Sequence, residues 1–101
     1  MMQPRLTGDE LLDALEAGTV RAAEPQADGS WRVEPWVKEG ILDLFRASPV
    51  VPMGVFRDKA AFPTRTFDDS SGVRLVPGGS AVRRGSHLGS GVVCMPPMYV
   101  N

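Results

Sequence analysis

One histidine, one cysteine, a glycine pair and a few arginines are the residues of this chain whose types could do chemistry. His87 suggests a general base, because an imidazole titrates near neutral pH. No nucleophile motif and no nearby carboxylate accompanies it, so a surface or subunit-contact histidine is the favoured reading. Cys94 could be a nucleophile, yet it falls in an apolar series and reads as a small buried hydrophobe. Gly78-Gly79-Ser80 could cradle a phosphate, but no helix follows to aim its amides. The glycine pair better suits a corner with positive φ. Arg83-Arg84 could hold phosphates or face solvent, and charge runs generally face solvent. For Arg74 an ion pair with Asp68 or Asp69 competes evenly with a binding role. No catalytic residue and no metal-ligand set is assigned.

These residues sit in or beside a repeat. Val76, Val82, Leu88, Cys94 and Val100 form an apolar series with a strict period of six. That period fits neither an ordinary helix nor an isolated strand. It fits hexapeptide repeats, in which short flat strands wind into a parallel β-helix. Gly89, Ser80 and Ser86 supply small residues at the intervening places. A left-handed coil takes three hexads, and a solenoid coil needs neighbours to bury its core. Residues 73–101 are therefore expected to be the start of a truncated left-handed β-helix.

The first 72 residues read as an α+β domain. Thr7 and Glu10 have the spacing of a capping box, and Leu6 and Leu11 that of a hydrophobic staple. Gly18 supplies a left-handed stop, which predicts a helix over about 8–17. Residues 19–24 and 31–34 predict a hairpin around Asp28-Gly29, with Trp31 and Val33 on one face. Pro35 suits the first turn of a second helix. Its stripe of Trp36, Val37, Gly40, Ile41, Leu44 and Phe45 has helical period, predicts core packing, and ends before Pro49. Val50-Val51-Pro52-Met53 predicts an edge strand, since Pro52 cannot donate to a ladder. Phe56-Arg57-Asp58-Lys59 and Phe62-Pro63 read as an ordered loop. The polar run from Asp68 to Gly72 reads as a hinge, which sets the division at 1–72 and 73–101.

Composition narrows the class. The 101 residues are 43% hydrophobic and 23% charged, with a net charge of -1. Those fractions are those of a soluble globular protein, and the balance argues against a nucleic-acid partner. No stretch approaches the roughly 18 apolar residues of a membrane span. Met1-Met2-Gln3-Pro4-Arg5 opens no apolar signal region, and a lone cysteine suits a reducing compartment. A cytoplasmic location is the expectation.

Several segments together carry a family resemblance. Val20-Arg21-Ala22-Ala23-Glu24, Asp28-Gly29-Ser30-Trp31, Trp36-Val37-Lys38, Phe45-Arg46 and Phe56-Arg57-Asp58-Lys59 follow one another in order. Val73-Arg74-Leu75-Val76-Pro77, Ala81-Val82-Arg83-Arg84-Gly85 and Met95-Pro96-Pro97-Met98-Tyr99-Val100-Asn101 come next. Over roughly residues 9–101 this resembles the tetrahydrodipicolinate N-succinyltransferases of bacterial lysine (diaminopimelate) biosynthesis. The resemblance implies an acyltransferase that moves succinyl from succinyl-CoA to tetrahydrodipicolinate, a cyclic imino dicarboxylate. It implies a hexapeptide-repeat β-helix, a homotrimer with sites between neighbouring β-helices, and succinyl-CoA as co-substrate with no bound cofactor. It also matches Arg74 to an arginine that binds the dicarboxylate substrate. The family's aspartate for substrate, its acidic catalytic residue and its CoA groove lie beyond the match. The N-terminus reads as shorter than in the longer members, which begin with an extra helical segment. A chain of this extent is expected to be inactive alone. The competing reading is a non-catalytic interaction module whose open β-helix end pairs with a partner chain.

Overall fold

The computed structural model describes residues 5–101; the reading of Met1 to Pro4 lies outside the described residues. Helix α1 spans Gly8–Ala17 and helix α2 Pro35–Ala47. Gly18 ends α1 in the left-handed conformation at φ 78, and its N–H reaches the carbonyls of Ala14 and Leu15. The capping box does not form: the Thr7 side chain makes no cap hydrogen bond. Gly8 has φ +60, whereas a capping box presumes helical φ just after the cap. Leu6 and Leu11 do share one cluster, as the staple predicts.

The two helices meet over Leu11, Val20 and Val37, all buried, with Leu15, Trp36 and Ile41 packed around them. Gly40 makes this approach possible. A Cβ there would lie 2.6 Å from Leu11 Cδ2. The predicted α2 stripe is only partly core. Val37 is buried, while Phe45 at the far end remains exposed enough to carry the aromatic contacts described below.

Strands β1 (Ala23–Pro25) and β2 (Trp31–Val33) form the predicted antiparallel hairpin, with Ala23 opposite Val33. Both are shorter than the sequence suggested. The Asp28 carboxylate accepts from Ser30 N at 2.9 Å, and Gly29 sits at φ +88, so the turn chemistry is as read. Arg32 pairs with Glu24 and Glu34 at 2.9 and 2.8 Å. Trp31 and Val33 are exposed.

Strand β3 (Val50–Met53) pairs antiparallel with β4 (Phe56–Lys59), which corrects the loop expected at 56–59. Met53 faces Phe56 across Gly54-Val55, and Gly54 has φ +60. A two-residue connection with glycine first is a turn whose twist matches its strands.

The remaining strands are short and pair in parallel. β5 (Arg74–Leu75) lies beside β7 (Val93–Cys94), and β6 (Ser80–Val82) beside β8 (Met98–Val100). Ser80 faces Met98, a step of three hexads. Leu75, not Val76, faces Cys94, which corrects the strict period at its first member. The reason lies in the corners. β5 reaches β6 through Val76-Pro77-Gly78-Gly79, whereas β7 reaches β8 through the shorter Met95-Pro96-Pro97. Gly78 and Gly79 at φ +111 and +108 accommodate the extra residue. Val82 and Cys94 are buried, while Val76, Leu88 and Val100 are half-buried.

Segment 63–65 ties the two halves of the chain together. Thr64 bridges Arg83 in antiparallel sense, Arg65 N donates to Val82 O at 2.7 Å, and Arg84 N to Pro63 O at 2.8 Å.

Candidate functional site

Arg74 opens β5, and its backbone is firmly held. Its N–H donates to Val92 O at 3.0 Å, and Val76 N donates to Cys94 O at 3.0 Å. Upstream, a single turn of 3-10 helix (Asp69–Ser71) ends at Gly72 with φ 69. Asp68 caps that turn. Its Oδ1 accepts from Ser70 N at 3.0 Å and from Ser70 Oγ at 2.6 Å. The Ser70 hydroxyl, then the Ser70 amide, pull the Asp68 carboxyl below the usual aspartate range.

The expected competitors of Arg74 are therefore occupied elsewhere or apart from it. Asp68 is spent on Ser70, and no ion pair joins Arg74 to Asp68 or Asp69 among the described residues. The Arg74 side chain is exposed and has no partner among those residues. Its neighbour across the ladder is Val93, also exposed. A guanidinium with free donors in an ordered backbone is suited to gripping a carboxylate through two parallel hydrogen bonds.

Arg83 and Arg84 are not a solvated face. The Arg83 side chain is 14% exposed and pairs with Asp58 Oδ2 at 2.9 Å. It donates to Asn101 Oδ1 at 3.1 Å and lies over the Phe45 and Phe62 rings at 5.1 and 4.8 Å. Stacking of this kind suits a planar, weakly hydrated cation. Arg84 donates to Glu16 Oε2 at 2.8 Å and Asp13 Oδ1 at 2.9 Å. Burial works against its charge, but its hydrogen bonds to Asp13 and Glu16 outweigh that and raise its pKa further. Neither guanidinium is free for a phosphate. Both instead fasten the strand region to the helical part.

His87 lies on the surface and serves α1. Its Nδ1 meets the Glu16 carbonyl at 2.8 Å, and its ring covers Gly18, where a Cβ would stand 3.0 Å from Cε1. An Nδ1–H donated to a carbonyl at a helix C-terminus satisfies one of its orphan acceptors. Cys94 is buried, as expected of an inward position. No group of three His, Cys, Asp or Glu among the described residues could hold a metal, and no helix there is long and apolar enough to cross a membrane.

Sequence reasoning missed the Glu16 cluster. The signal was present: Asp9, Asp13 and Glu16 recur on one face of α1.

A profile for the tetrahydrodipicolinate N-succinyltransferase N-terminal domain matches residues 5–47, which hold α1, the first hairpin and α2. The 2,3,4,5-tetrahydropyridine-2,6-dicarboxylate N-succinyltransferase of Leptothrix cholodnii is 41% identical over 99 residues, covering 90% of this chain and 35% of its own length. That of Polynucleobacter asymbioticus is 42% identical over 100 residues, with shares of 90% and 36%. The Xylella fastidiosa enzyme is 38% identical over 100 residues, with shares of 91% and 36%. The chain is thus similar over most of its length to tetrahydrodipicolinate N-succinyltransferases. It spans about a third of the length of the curated relatives it matches. These relatives are all named for a succinyl transfer, and none supports the reading of a non-catalytic interaction module. The matched lengths reach past α2 into the strand region, so Arg74 falls within the extent the relatives share with this chain.

Proposed function

We propose that this chain is the N-terminal part of a cytoplasmic acyltransferase that moves succinyl from succinyl-CoA to tetrahydrodipicolinate in lysine (diaminopimelate) biosynthesis. Residues 1–72 form its α/β N-terminal domain, and residues 73–101 begin a left-handed β-helix. The observation that carries the reading is the pair of parallel ladders: Ser80 to Met98 steps three hexads, and Arg74 to Val93 one residue more. The step from Ser80 to Met98 is that of a coil of three hexapeptide repeats. The partner-free Arg74 supports its role as the grip on a substrate carboxylate. The assembled enzyme is a homotrimer whose sites lie between neighbouring β-helices, and the acyl donor and acid–base groups bind further along the chain. Residues 1–101 alone are then inactive, because positioning and proton transfer together supply many orders of magnitude of rate.

The test is thiol release from succinyl-CoA with the cyclic imine as acceptor. A full-length enzyme carrying these residues should turn over, and the purified 101-residue chain should not. In that full-length enzyme, Arg74→Ala should weaken the dicarboxylate by about 1.5–3 kcal/mol, the worth of a charge-assisted contact. Turnover by the short chain, or an Arg74→Ala variant that affects both substrates equally, would overturn the proposal.

A further inference from the structure

Arg74 has no side-chain brace among the described residues, so its backbone alone sets its aim. Two residues upstream that backbone passes through a position whose left-handed φ and close contact favour glycine. Gly72 O accepts from Gly91 N at 2.7 Å, and Gly72 has φ 69. A Cβ on Gly72 would lie 2.6 Å from Ser90 Oγ and 3.4 Å from Ser90 Cα and Cβ. The loop that carries Ser90 therefore presses directly on the bare α-carbon. From there the chain has little freedom before the arginine. Val73 N donates to Ser71 Oγ at 3.1 Å, and Arg74 N donates to Val92 O at 3.0 Å.

We propose that the Gly72–Ser90 contact is a positioning clamp that sets the aim of Arg74 at the dicarboxylate substrate. This rests on the reading of Arg74 given above. The physical reason is leverage. A side chain with several rotatable bonds and no brace follows any shift of its strand. A misplacement of about 1 Å can cost about a hundredfold where geometry matters. Gly72 and Ser90 touch no substrate in this scheme and act only through Arg74. The register of β5 against β7 makes the coupling direct, because Gly72, Arg74 and Val76 are fastened in turn to residues 91, 92 and 94.

The test uses a full-length succinyltransferase whose N-terminal portion is this chain. Gly72→Ala should raise the dicarboxylate KM about tenfold, with kcat and the succinyl-CoA KM held within about twofold. Adding Ser90→Ala removes the atom at 2.6 Å and should recover the part of that loss due to the contact, the remainder being the strain of a side chain at φ 69. Ser90→Val, which adds bulk while keeping the native glycine, should raise the same constant and covers the case in which Gly72→Ala fails to fold. A wild-type dicarboxylate KM in Gly72→Ala or Ser90→Val overturns the clamp. So does an equal rise for both substrates that Ser90→Ala does not rescue, which marks a merely structural glycine. Arg74→Ala separates the two levels. If it leaves the dicarboxylate KM unchanged, the carboxylate grip fails and the clamp with it. If it raises that KM while the Gly72 and Ser90 variants do not, only the clamp fails.

Discussion

Arg84 Nη1 and Glu16 Oε2 meet at 2.8 Å across 68 residues of sequence. The same Glu16 oxygen also accepts from Gly85 N at 2.8 Å, and the Glu16 backbone carbonyl meets His87 Nδ1. One residue near the end of α1 thus holds three positions of the strand region's corner, 84, 85 and 87. Leu12 closes the apolar side of this joint, since a Cβ on Gly85 would lie 3.1 Å from its Cδ2. Arg83 makes a second joint through Asp58 and the Phe45–Phe62 pair. The strand region is therefore anchored at two neighbouring residues, to α1 through Arg84 and to β4 and the aromatic pair through Arg83.

The Glu16–Arg84 pair predicts a measurable coupling. Both side chains are about four-fifths buried, so removing one leaves the other short of a partner, with Asp13 still beside Arg84 and Gly85 N still donating to Glu16. Glu16→Gln and Arg84→Ala should each destabilise the chain by about 1–3 kcal/mol. The double variant should cost clearly less than the sum, as residues in one network are not additive. Urea denaturation of the four proteins reads this directly, and strict additivity would show that the contact carries no energy of its own.

Gly40→Ala sets helix propensity against packing. Alanine in a helix interior gains about 1 kcal/mol over glycine. Here its Cβ would meet Leu11 Cδ2 at 2.6 Å, and Leu11 is fully buried in the helix–helix core. Overpacking of a core costs about 1–3 kcal/mol. The expected result is a net loss of about 1 kcal/mol and a lowered Tm, relieved when Leu11 is shortened to Val in the same chain. A stabilised Gly40→Ala protein would mean that the helices stand further apart.

Local signals made much of this fold legible. Gly18 and the Leu11, Leu12, Leu15 face gave α1 its bounds, Asp28-Gly29 gave the first hairpin, and Pro35 to Pro49 enclosed α2. What escaped was of two kinds. β4 carries Arg57, Asp58 and Lys59 in a row, so no apolar alternation reveals it; its pairing comes from the glycine-first turn at 54–55. Arg83 and Arg84 looked like a solvated pair because their partners lie 25 and 68 residues away, a separation that spacing cannot encode. At the candidate site, the residue itself was named from the resemblance. The fact that neither Asp68 nor Asp69 holds it was not readable, since Asp68 could cap its own turn or pair with Arg74 equally well. The hexad slip at Leu75 was hidden for a similar reason: Leu75 and Val76 are both apolar, and only the length of the Gly78-Gly79 corner decides between them.

The Asp68 cap predicts a pH response with a defined sign. Hydrogen bonds from Ser70 hold the Asp68 pKa below its unfolded value. A depressed carboxyl contributes stability above its unfolded pKa, and that contribution is lost as pH falls through the folded one. Ser70→Ala should therefore move the Asp68 carboxyl titration, followed by carbon NMR, upward towards the ordinary aspartate range. It should also loosen the turn that leads to Gly72. An unchanged midpoint in Ser70→Ala would remove the serine as the cause.

The last prediction concerns where the chain opens first. Helix α1 buries Leu11 and Leu12 completely and closes on α2 through Gly40. β5 and β7 hold only two residues each, and β6 and β8 three. Two-stranded pairings this short are marginal without further strands or a covering layer. The corner at 84–87 is different, because Glu16 fastens it to α1. Local opening should therefore spare Arg84 to His87 and begin at the far strands, since local stability follows buried contacts rather than the mere presence of backbone hydrogen bonds. Amide exchange should find Val76 and Met98 exchanging well before Leu15 and Ile41, with Gly85 protected at an intermediate level. Glu16→Gln should bring Gly85 down to the rate of Met98 while leaving Ile41 slow. If Met98 proves as protected as Ile41 in a dilute monomer, the strand region is stable in its own right and the charged joint is not what anchors it.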